Sequence, residues 1–403
     1  MMMEMAEDTR ENIVIVGGGI CGLATALALH RKGIRSLVLE RSESLRATGV
    51  AIIIQSNGWR ALDQLGVASY LRQTANPILS GQFKSLNDNK LQKLPVGKEE
   101  LRCVKRTDLM NIMADNLPQN TVRFGCNVLS IELDPITSSP VLKLQDGTSL
   151  NAKVVIGCDG VNSTISYMMG ATATNIFNVC GIRGFTSYPS GHEFGSELKL
   201  TKKDDVQVGL LPMTTNLVYW FLTRKYISCK SKISHSQKLI GDMAAASVKD
   251  FPSSIKEMVE NCSLESLHLS DYMRYRPPCD VLRRRFRVGT VTVAGDAWHA
   301  MAPFIAQGGS ASLEDAVVLA RCLARRTIVG IPSGRMSKTM VEEALDEYLK
   351  ERKPRVLRLS LQTYLIGKMH DTSSKFIKFI CTVFMAIIFY DSHGHTRYDC
   401  GTL

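Results

Sequence analysis

No Cys-x-x-Cys pair occurs anywhere in the 403 residues. The eleven cysteines stand singly and their number is odd, so neither a zinc-ribbon spacing nor a complete disulfide framework is written into the chain, and no metal site is expected. Cys21, Cys126 and Cys158 lie inside apolar runs, as small core residues do in a reducing compartment. Aromatic residues are sparse, at 7% of the chain, and no known nucleic-acid motif accompanies the basic residues, so no nucleic-acid partner is expected. No apolar run reaches the ~20 residues needed to span a bilayer. The nearest, Phe376 to Tyr390, is interrupted by Lys378 and Thr382 and reads first as a helix packed against the body. An interfacial helix touching a membrane surface through 376–390 is the alternative. The N-terminus is acidic, without the apolar core of a secretory signal or the arginines of a transit peptide, so a cytoplasmic location is the expectation.

What the chain does have is length and apolar content. At 45% hydrophobic residues it can bury a large core. The net charge of +11 favours anionic small ligands. The densest basic cluster, Arg283 to Arg285 with Arg287, reads as a solvated strand entrance.

Near the N-terminus an apolar run, Asn12 to Val16, opens into Gly17-x-Gly19-x-x-Gly22. The first glycine permits a tight turn, the second a close backbone approach to a pyrophosphate, and the third close packing of the following helix on the strand. Leu23, Ala26, Leu27 and His30 recur at helical spacing, and the open N–H groups at the helix start suit phosphate oxygens. A second apolar run from Ser36 ends at Glu40, placed to accept from a ribose hydroxyl, with Arg41 beside it. At this point the motif specifies a dinucleotide, and NAD remains open.

Farther along, helical and strand patterns alternate. A strand over Val50 to Ile54 precedes a helix from about Asn57; Thr107 or Asp108 can cap a helix ending near Pro118; strands then follow over 121–124, 127–133 and 153–157. The last runs into Cys158-Asp159-Gly160, which places a carboxylate at the carboxyl edge of a sheet, or forms a local turn. Residues 171–230 change to strand-rich, antiparallel patterning. After two short helices the chain returns as the apolar run Val288 to Ala294. The fold class expected is α/β, with segments 10–76, 100–170 and 285–330 forming a discontinuous nucleotide-binding domain, 77–99 and 171–284 an inserted antiparallel β-sheet lobe, and 331–403 a C-terminal helical region.

The third motif, Gly295-Asp296-Ala297-Trp298-His299 followed by Pro303, Gln307, Gly308 and Gly309, resembles the second flavin signature of the FAD-dependent aromatic hydroxylases. Asp159-Gly160 is similar to that group's middle motif, and Arg106 to its arginine along FAD. Glu40 to Gly49, Asn57 to Gly66 and the ending Tyr398 to Leu403 narrow the resemblance to plant monooxygenases related to salicylate hydroxylase. The resemblance implies a Rossmann-like FAD-binding domain with a β-sheet substrate lobe and C-terminal helices. It implies that Asp296 bonds the ribityl chain or pyrophosphate, that Glu40 bonds the adenosine ribose, and that Arg46 and Arg106 flank the cofactor. The helix opening at Gln307 and Gly308 would turn its positive end to the flavin. His299, Pro303 and Gln307 are flavin-adjacent candidates for catalysis, although His299 reads more simply as a packed, hydrogen-bonded residue and Trp298 as core.

The activity implied is an NAD(P)H-dependent monooxygenation, one oxygen atom of O2 passing through a flavin C4a-hydroperoxide to a small, largely apolar ring compound, with phenolic hydroxylation favoured. Epoxidation of a terpenoid-like alkene and a flavin protein with decayed catalysis are the alternatives. No second glycine-rich fingerprint is present, so NAD(P)H is expected to bind transiently. Ile53, Gln55, Leu210, Met213, Trp220 and Phe304 are the expected lining residues. Three positions depart from the group's pattern: Ser166 replaces an arginine, Ala306 a glycine, and Ser310 an Asn or Cys. If position 306 needs positive φ, alanine there costs about 1 kcal/mol.

Overall fold

The computed structural model describes residues 10–45, 50–94, 96, 99–225, 236–328, 337–389, 391 and 394–403; Arg46 and Gly49 lie outside the described residues. Strand β1 (Arg10–Val16), helix α1 (Ile20–Arg31) and strand β2 (Leu37–Leu39) make the first unit. It is followed by β3 (Ala51–Gln55), α2 (Ser56–Leu65), α3 (Ala68–Thr74), β4 (Ser80–Ser85), β5 (Lys90–Leu94), β6 (Leu101–Lys105) and α4 (Arg106–Asp115). Then come β7 (Val122–Arg123), β8 (Val128–Leu133), β9 (Pro140–Leu144), β10 (Ser149–Gly157) and α5 (Thr164–Met168). A strand-rich stretch comprises β11 (Asn175–Phe177), β12 (Val179–Ser187), β13 (Glu197–Lys203), β14 (Val206–Pro212) and β15 (Leu217–Lys225). It closes with α6 (Gln237–Ser247), α7 (Ser253–Glu260), β16 (His268–Ser270), β17 (Met273–Tyr275) and α8 (Pro278–Arg283). The chain returns through β18 (Arg287–Val288), β19 (Val291–Val293), α9 (Asp296–His299) and α10 (Gly308–Ile328), and ends with α11 (Lys338–Asp371) and α12 (Lys375–Ile388).

The first sheet runs in the order β18-β19-β10-β1-β2-β7. Strands β19, β10, β1, β2 and β7 are mutually parallel. Parallel strands covered on both faces read as continuous apolar runs, and Ile13, Val14 and Ile15 of β1 are fully buried. Helix α1 is buried from Ile20 to Leu29 because α10, α2 and α4 surround it. Leu23 and Leu27, both at 0% exposure, contribute on the order of 1.5–3 kcal/mol each by leaving water.

The second sheet is ordered β16-β12-β15-β14-β13-β4-β5. Its pairs are antiparallel except β4 with β13, where the early hairpin β4–β5 joins the edge of strands that come more than a hundred residues later. Strand alternation gives this sheet two different faces. Ile182, Leu210, Trp220 and Leu222 pack beneath α6 and α7 against Ile240, Ala244 and Met258. Phe185, Leu211, Tyr219 and Phe221 face the other way and pack with Ile53 and Cys103 of the β3–β6 ribbon.

Some boundaries differ from expectation. Helix α4 starts at Arg106, before Thr107 and Asp108, so Lys105 holds the cap position and makes no side-chain cap bond. Strand β10 starts earlier than its apolar half, since Ser149, Leu150 and Asn151 pair with β9. Helix α12 packs on α11 through Cys381 and Met385, with Phe389 completing the contact, but it is not covered as a core helix. Phe376, Phe379 and Ile387 are 70%, 66% and 71% exposed. No helix among the described residues is long and apolar enough to cross a membrane.

Candidate active site

Leu39, Val16, Gly157 and Val293 form one row across four adjacent strands of the parallel sheet. Each motif found in the sequence begins immediately after this row. Glu40, Gly17, Asp159 and Asp296 therefore emerge along one carboxyl edge, the place where open α/β sheets bind ligands.

At the middle of that edge the first turn is built for glycine. Gly17 has φ of +104°, and a Cβ there would come within 2.5 Å of the Cys158 carbonyl oxygen. A Cβ on Gly22 would fall 1.9 Å from the Gly17 oxygen, so only glycine lets α1 seat on the turn. Around Gly19, by contrast, nothing lies within 4 Å of where a Cβ would be, and α1 starts with neither a capping side chain nor an acid in its first turn. An uncapped helix start beside open space is what a pyrophosphate requires. Glu40 organises the same loop: one carboxylate oxygen accepts from Gly18 N at 2.7 Å and the other from Ser42 N at 2.9 Å. Arg41 points into solvent next to it.

Across the sheet, the Asp296 carboxylate has no hydrogen bond among the described residues. It faces the start of α10, 4.0 Å from where a Cβ on Gly308 would stand. Burial pushes its carboxyl above the usual range, against the charges of His299 and Arg106. Arg106, exposed at the head of α4, is thus close enough for Asp296 to feel its charge. Asp159 is occupied differently. It accepts from Ser163 Oγ at 2.5 Å and from Ile165 N at 3.3 Å, knitting the start of α5, while burial raises its carboxyl.

Beneath this edge lies a buried ionic network that joins α9, α10 and α11. Asp315 Oδ2 accepts from Gly295 N at 2.9 Å and sits 2.6 Å from His299 Nε2; Oδ1 accepts from Arg352 Nε at 2.7 Å. Burial opposes ionisation of Asp315, but His299 and Arg352 hold its carboxyl below the usual range. Since the carboxylate is ionised, His299 Nε2 is the donor. His299 is therefore a packed residue bracing the Gly295-Asp296 turn, and Trp298 is core at 0% exposure. Glu314 takes Arg352, Arg355 and Asn57 Nδ2 at 2.7, 3.0 and 2.6 Å.

The Gln307 side chain is fully buried. Its amide pairs with Asn57, Oε1 accepting at 2.8 Å and Nε2 donating at 3.3 Å, and Nε2 also donates to Gln55 Oε1. Gln307 thereby fixes the head of α10 against β3 and α2, leaving the main chain of Gly308 and Gly309 to face the space beside Asp296. Pro303 opens the 3-10 turn Pro303–Ile305. Ala306, which closes that turn, adopts φ +52° and ψ 36°, so the alanine does occupy the left-handed region.

Two other departures from the group's pattern have structural counterparts. Arg276, 3% exposed, donates through Nη2 to Ser166 Oγ at 3.2 Å and to the Ala297 carbonyl at 3.3 Å. A guanidinium absent from position 166 in sequence is delivered to that place from a different part of the fold. Ser310 abuts Gly58 so closely that a Cβ on Gly58 would stand 2.6 Å from its hydroxyl, and the small pair lets α2 and α10 approach.

The lining residues expected from the sequence divide between the two faces of the second sheet. Ile53 and Met213 lie on the face turned to β3 and β6, Gln55 bonds Gln307, and Phe304 stacks on His370 at 5.3 Å. Leu210 and Trp220 are on the opposite face, under α6 and α7, and are corrected to core. Their neighbours Leu211 and Tyr219 take the inward position with Phe185, Phe221 and Arg183, because consecutive strand residues point to opposite sides. Arg183 pairs in register with His268, whose basicity is lowered by burial and then by Arg183 and Arg106. Arg276, Arg183 and Tyr219 were not singled out from sequence; alternation carried the only signal for the last two. In the basic cluster, Arg284 contacts Asp280 and Gly170, and Arg287 pairs with Asp346 at 2.6 Å. No group of three or more potential metal ligands is found among the described residues.

These residues fit FAD: an open, uncapped phosphate cradle, a ribose-level carboxylate at one end, and an unsatisfied carboxylate at the other. The family described as "FAD binding domain" matches residues 10–362. The chain is 47% identical to Monooxygenase 1 of Arabidopsis thaliana over 397 residues, covering 97% of this chain and 99% of the relative. It is 36% identical to Monooxygenase 2 of the same plant, covering 99% and 100%. Its fold resembles Klebsiella pneumoniae HpxO complexed with FAD and uric acid, with a TM-score of 0.78 at 19% identity, covering 96% of both chains. It also resembles the tetrameric form of 2-methyl-3-hydroxypyridine-5-carboxylic acid oxygenase, with a TM-score of 0.73 at 20% identity, covering 97% of both. The family profile spanning residues 10–362, with relatives 47% and 36% identical along nearly the whole chain, places this chain in the FAD-binding-domain family, as an FAD-dependent monooxygenase of the aromatic hydroxylase group.

Proposed function

We propose that the protein uses NAD(P)H and O2 to hydroxylate a small, largely apolar ring compound, a phenol bearing an acidic group being the best fit. The observation that carries this reading is the inward face of the second sheet. Phe185 and Phe221, partly exposed over the buried Leu211 and Tyr219, offer apolar and aromatic surface there, and Arg183 adds a cation on the same side of β12 as Phe185. Burial pushes the Tyr219 phenol up, and its hydroxyl has no hydrogen bond among the described residues. This combination of ring-shaped apolar lining with few polar groups is typical of small-molecule sites.

Bound FAD would supply acceptance of hydride from NAD(P)H and activation of O2 for oxygen transfer. The chain's own residues hold and orient. Gly17 to Gly19 and the start of α1 would receive the pyrophosphate, Glu40 the adenosine ribose, and Asp296 the ribityl chain or pyrophosphate, with Arg106 alongside. The main chain at Gly308 and Gly309 would place the positive end of α10 against the flavin pyrimidine. Asp315 and Arg352 fix the Gly295-Asp296 turn, and the β3–β6 ribbon packs against the inward face of the second sheet.

The test is a panel of phenolic acids, neutral phenols and terpenoid alkenes, scored by substrate-dependent NADH and NADPH oxidation and by product mass. A gain of one oxygen on a phenolic acid supports the reading. Epoxide from an alkene alone, or oxidation indifferent to every compound, overturns it.

A further inference from the structure

Helix α12 presents to solvent the largest concentration of apolar side chains among the described residues. Phe376, Phe379, Ile380, Val383, Phe384 and Ile387 are all exposed. At ~100° per residue these positions share one side of the helix and cover about half its circumference. Cys381 and Met385 point the other way and pack on α11. The exposed face is thus left over after the helix has found its place in the fold. Soluble proteins seldom leave such a patch uncovered, and it marks a surface that meets another phase or partner.

Charge identifies the partner. Lys375 lies on the flank of the apolar face and Lys378 on the opposite side of the helix, toward α11; both are exposed and without an ion pair among the described residues. The helix contains no acid. Lys202 and Lys378 both bear on His370, where burial and these two cations lower its basicity, so the positive charge converges on the end of α11 where α12 begins. Asp371 is the acid at that corner, already engaged by Asn178 N at 2.9 Å and facing Lys368 at 4.0 Å. A second copy docked on this face would set lysine against lysine with no acid on α12 to offset them. An anionic lipid surface complements both the cations and the convex phenylalanine and isoleucine ridge.

We propose that α12 is an interfacial anchor that lays its Phe376–Ile387 face into the surface of an anionic bilayer, with Lys375 on its flank reaching the headgroups. Fourteen residues cannot span a bilayer, so the chain lies on the membrane without crossing it. Because Phe304, beside the Pro303 turn, stacks on His370, anchoring would hold that flank of the cofactor domain at the lipid surface.

The experiment is vesicle flotation of the FAD-loaded full chain with phosphatidylcholine alone and with phosphatidylcholine containing about 30% phosphatidylserine. The wild-type protein is expected to float with the anionic vesicles at least tenfold more than with neutral ones, and to be released by high salt. Phe376→Ser with Phe379→Ser and Ile387→Ser should abolish flotation while FAD content stays unchanged; Lys375→Glu should weaken the preference for phosphatidylserine. All three native tryptophans are buried, so Phe379→Trp supplies a surface reporter, whose emission should shift to the blue with anionic vesicles and be quenched by brominated acyl chains. Absence of flotation, flotation that survives the triple substitution, or a Phe379→Trp reporter that stays unquenched overturns the proposal. A dimer in solution that the triple substitution dissociates assigns the face to a second copy and equally overturns it.

Discussion

Glu40 and Asp296 leave the same carboxyl edge of one parallel sheet, on strands β2 and β19 with β1 and β10 between them. Three strand spacings of ~4.8 Å separate them by roughly 14 Å across the sheet, with the open surroundings of Gly19 in between. An extended dinucleotide can reach from one to the other.

Glu40→Ala should therefore loosen FAD. The substitution removes the proposed ribose acceptor and the charge-assisted bonds from Gly18 N and Ser42 N, each worth about 1.5–3 kcal/mol. We expect at least a tenfold weaker FAD Kd, read from flavin fluorescence on titrating apoprotein. An unchanged Kd would remove Glu40 from the site.

Ala306→Gly should stabilise the protein. A left-handed L-residue costs about 1–2 kcal/mol, and the added freedom of glycine in the unfolded chain returns about 0.4–1 kcal/mol of that. A net gain of about 0.5–1 kcal/mol is expected in the denaturant midpoint. A loss would mean that the alanine methyl contributes packing that outweighs the strain at φ +52°.

The ionic network sets an acid limit. Asp315 and Glu314 are both held below the usual carboxyl range, against burial, by His299 and Arg352 and by Arg352 and Arg355 respectively. Groups depressed in the folded state contribute stability above the unfolded value, near pH 4, and that contribution disappears as pH falls through the lower folded values. Arg352→Met leaves two buried carboxylates short of a cation, at about 3–5 kcal/mol. Circular dichroism against pH should show its acid unfolding midpoint moved upward. An unmoved midpoint would show that Arg352 does not hold the carboxylates ionised.

The C-terminal tail should be required for the same network. Tyr398 lies over both Arg352 and Arg355, with centroid distances of 5.0 and 4.9 Å, and the His395 carbonyl accepts from Arg355 at 2.6 Å. Tyr398→Ala should destabilise by about 1–3 kcal/mol, and Tyr398→Phe should largely restore stability in thermal unfolding. A Phe variant as unstable as Ala would shift the explanation from the ring to the hydroxyl.

Arg183→Ala should raise KM for acidic phenols about tenfold and leave KM for neutral ones near wild type, in the NAD(P)H oxidation assay. Trp220→Phe should change stability alone, because Trp220 faces α6 and α7 and bonds Thr186 Oγ1 at 3.1 Å. Equal effects of Arg183→Ala on both substrate sets would make it a structural residue.

Local rules made the cofactor half of this molecule readable before any coordinates. Gly22 is forced by the Gly17 oxygen five residues away and Gly17 by its own φ of +104°, β1 is apolar because both its faces are covered, and an acid at a strand end can be located by counting. The same reasoning erred at Leu210 and Trp220, where a one-residue difference in strand parity decides the face and only the partner layers reveal which parity is inward. It was also blind to Arg276, which meets Ser166 across 110 residues of chain. What the linear chain determined by itself was the set of turns and motifs whose geometry is closed within a βαβ unit. The assignment of sheet faces, the arginine that fills a missing place, the burial of His299 and the exposure of α12 were decided by tertiary structure, because each depends on which distant surface arrives at the contact, and short-range periodicity carries no information about that.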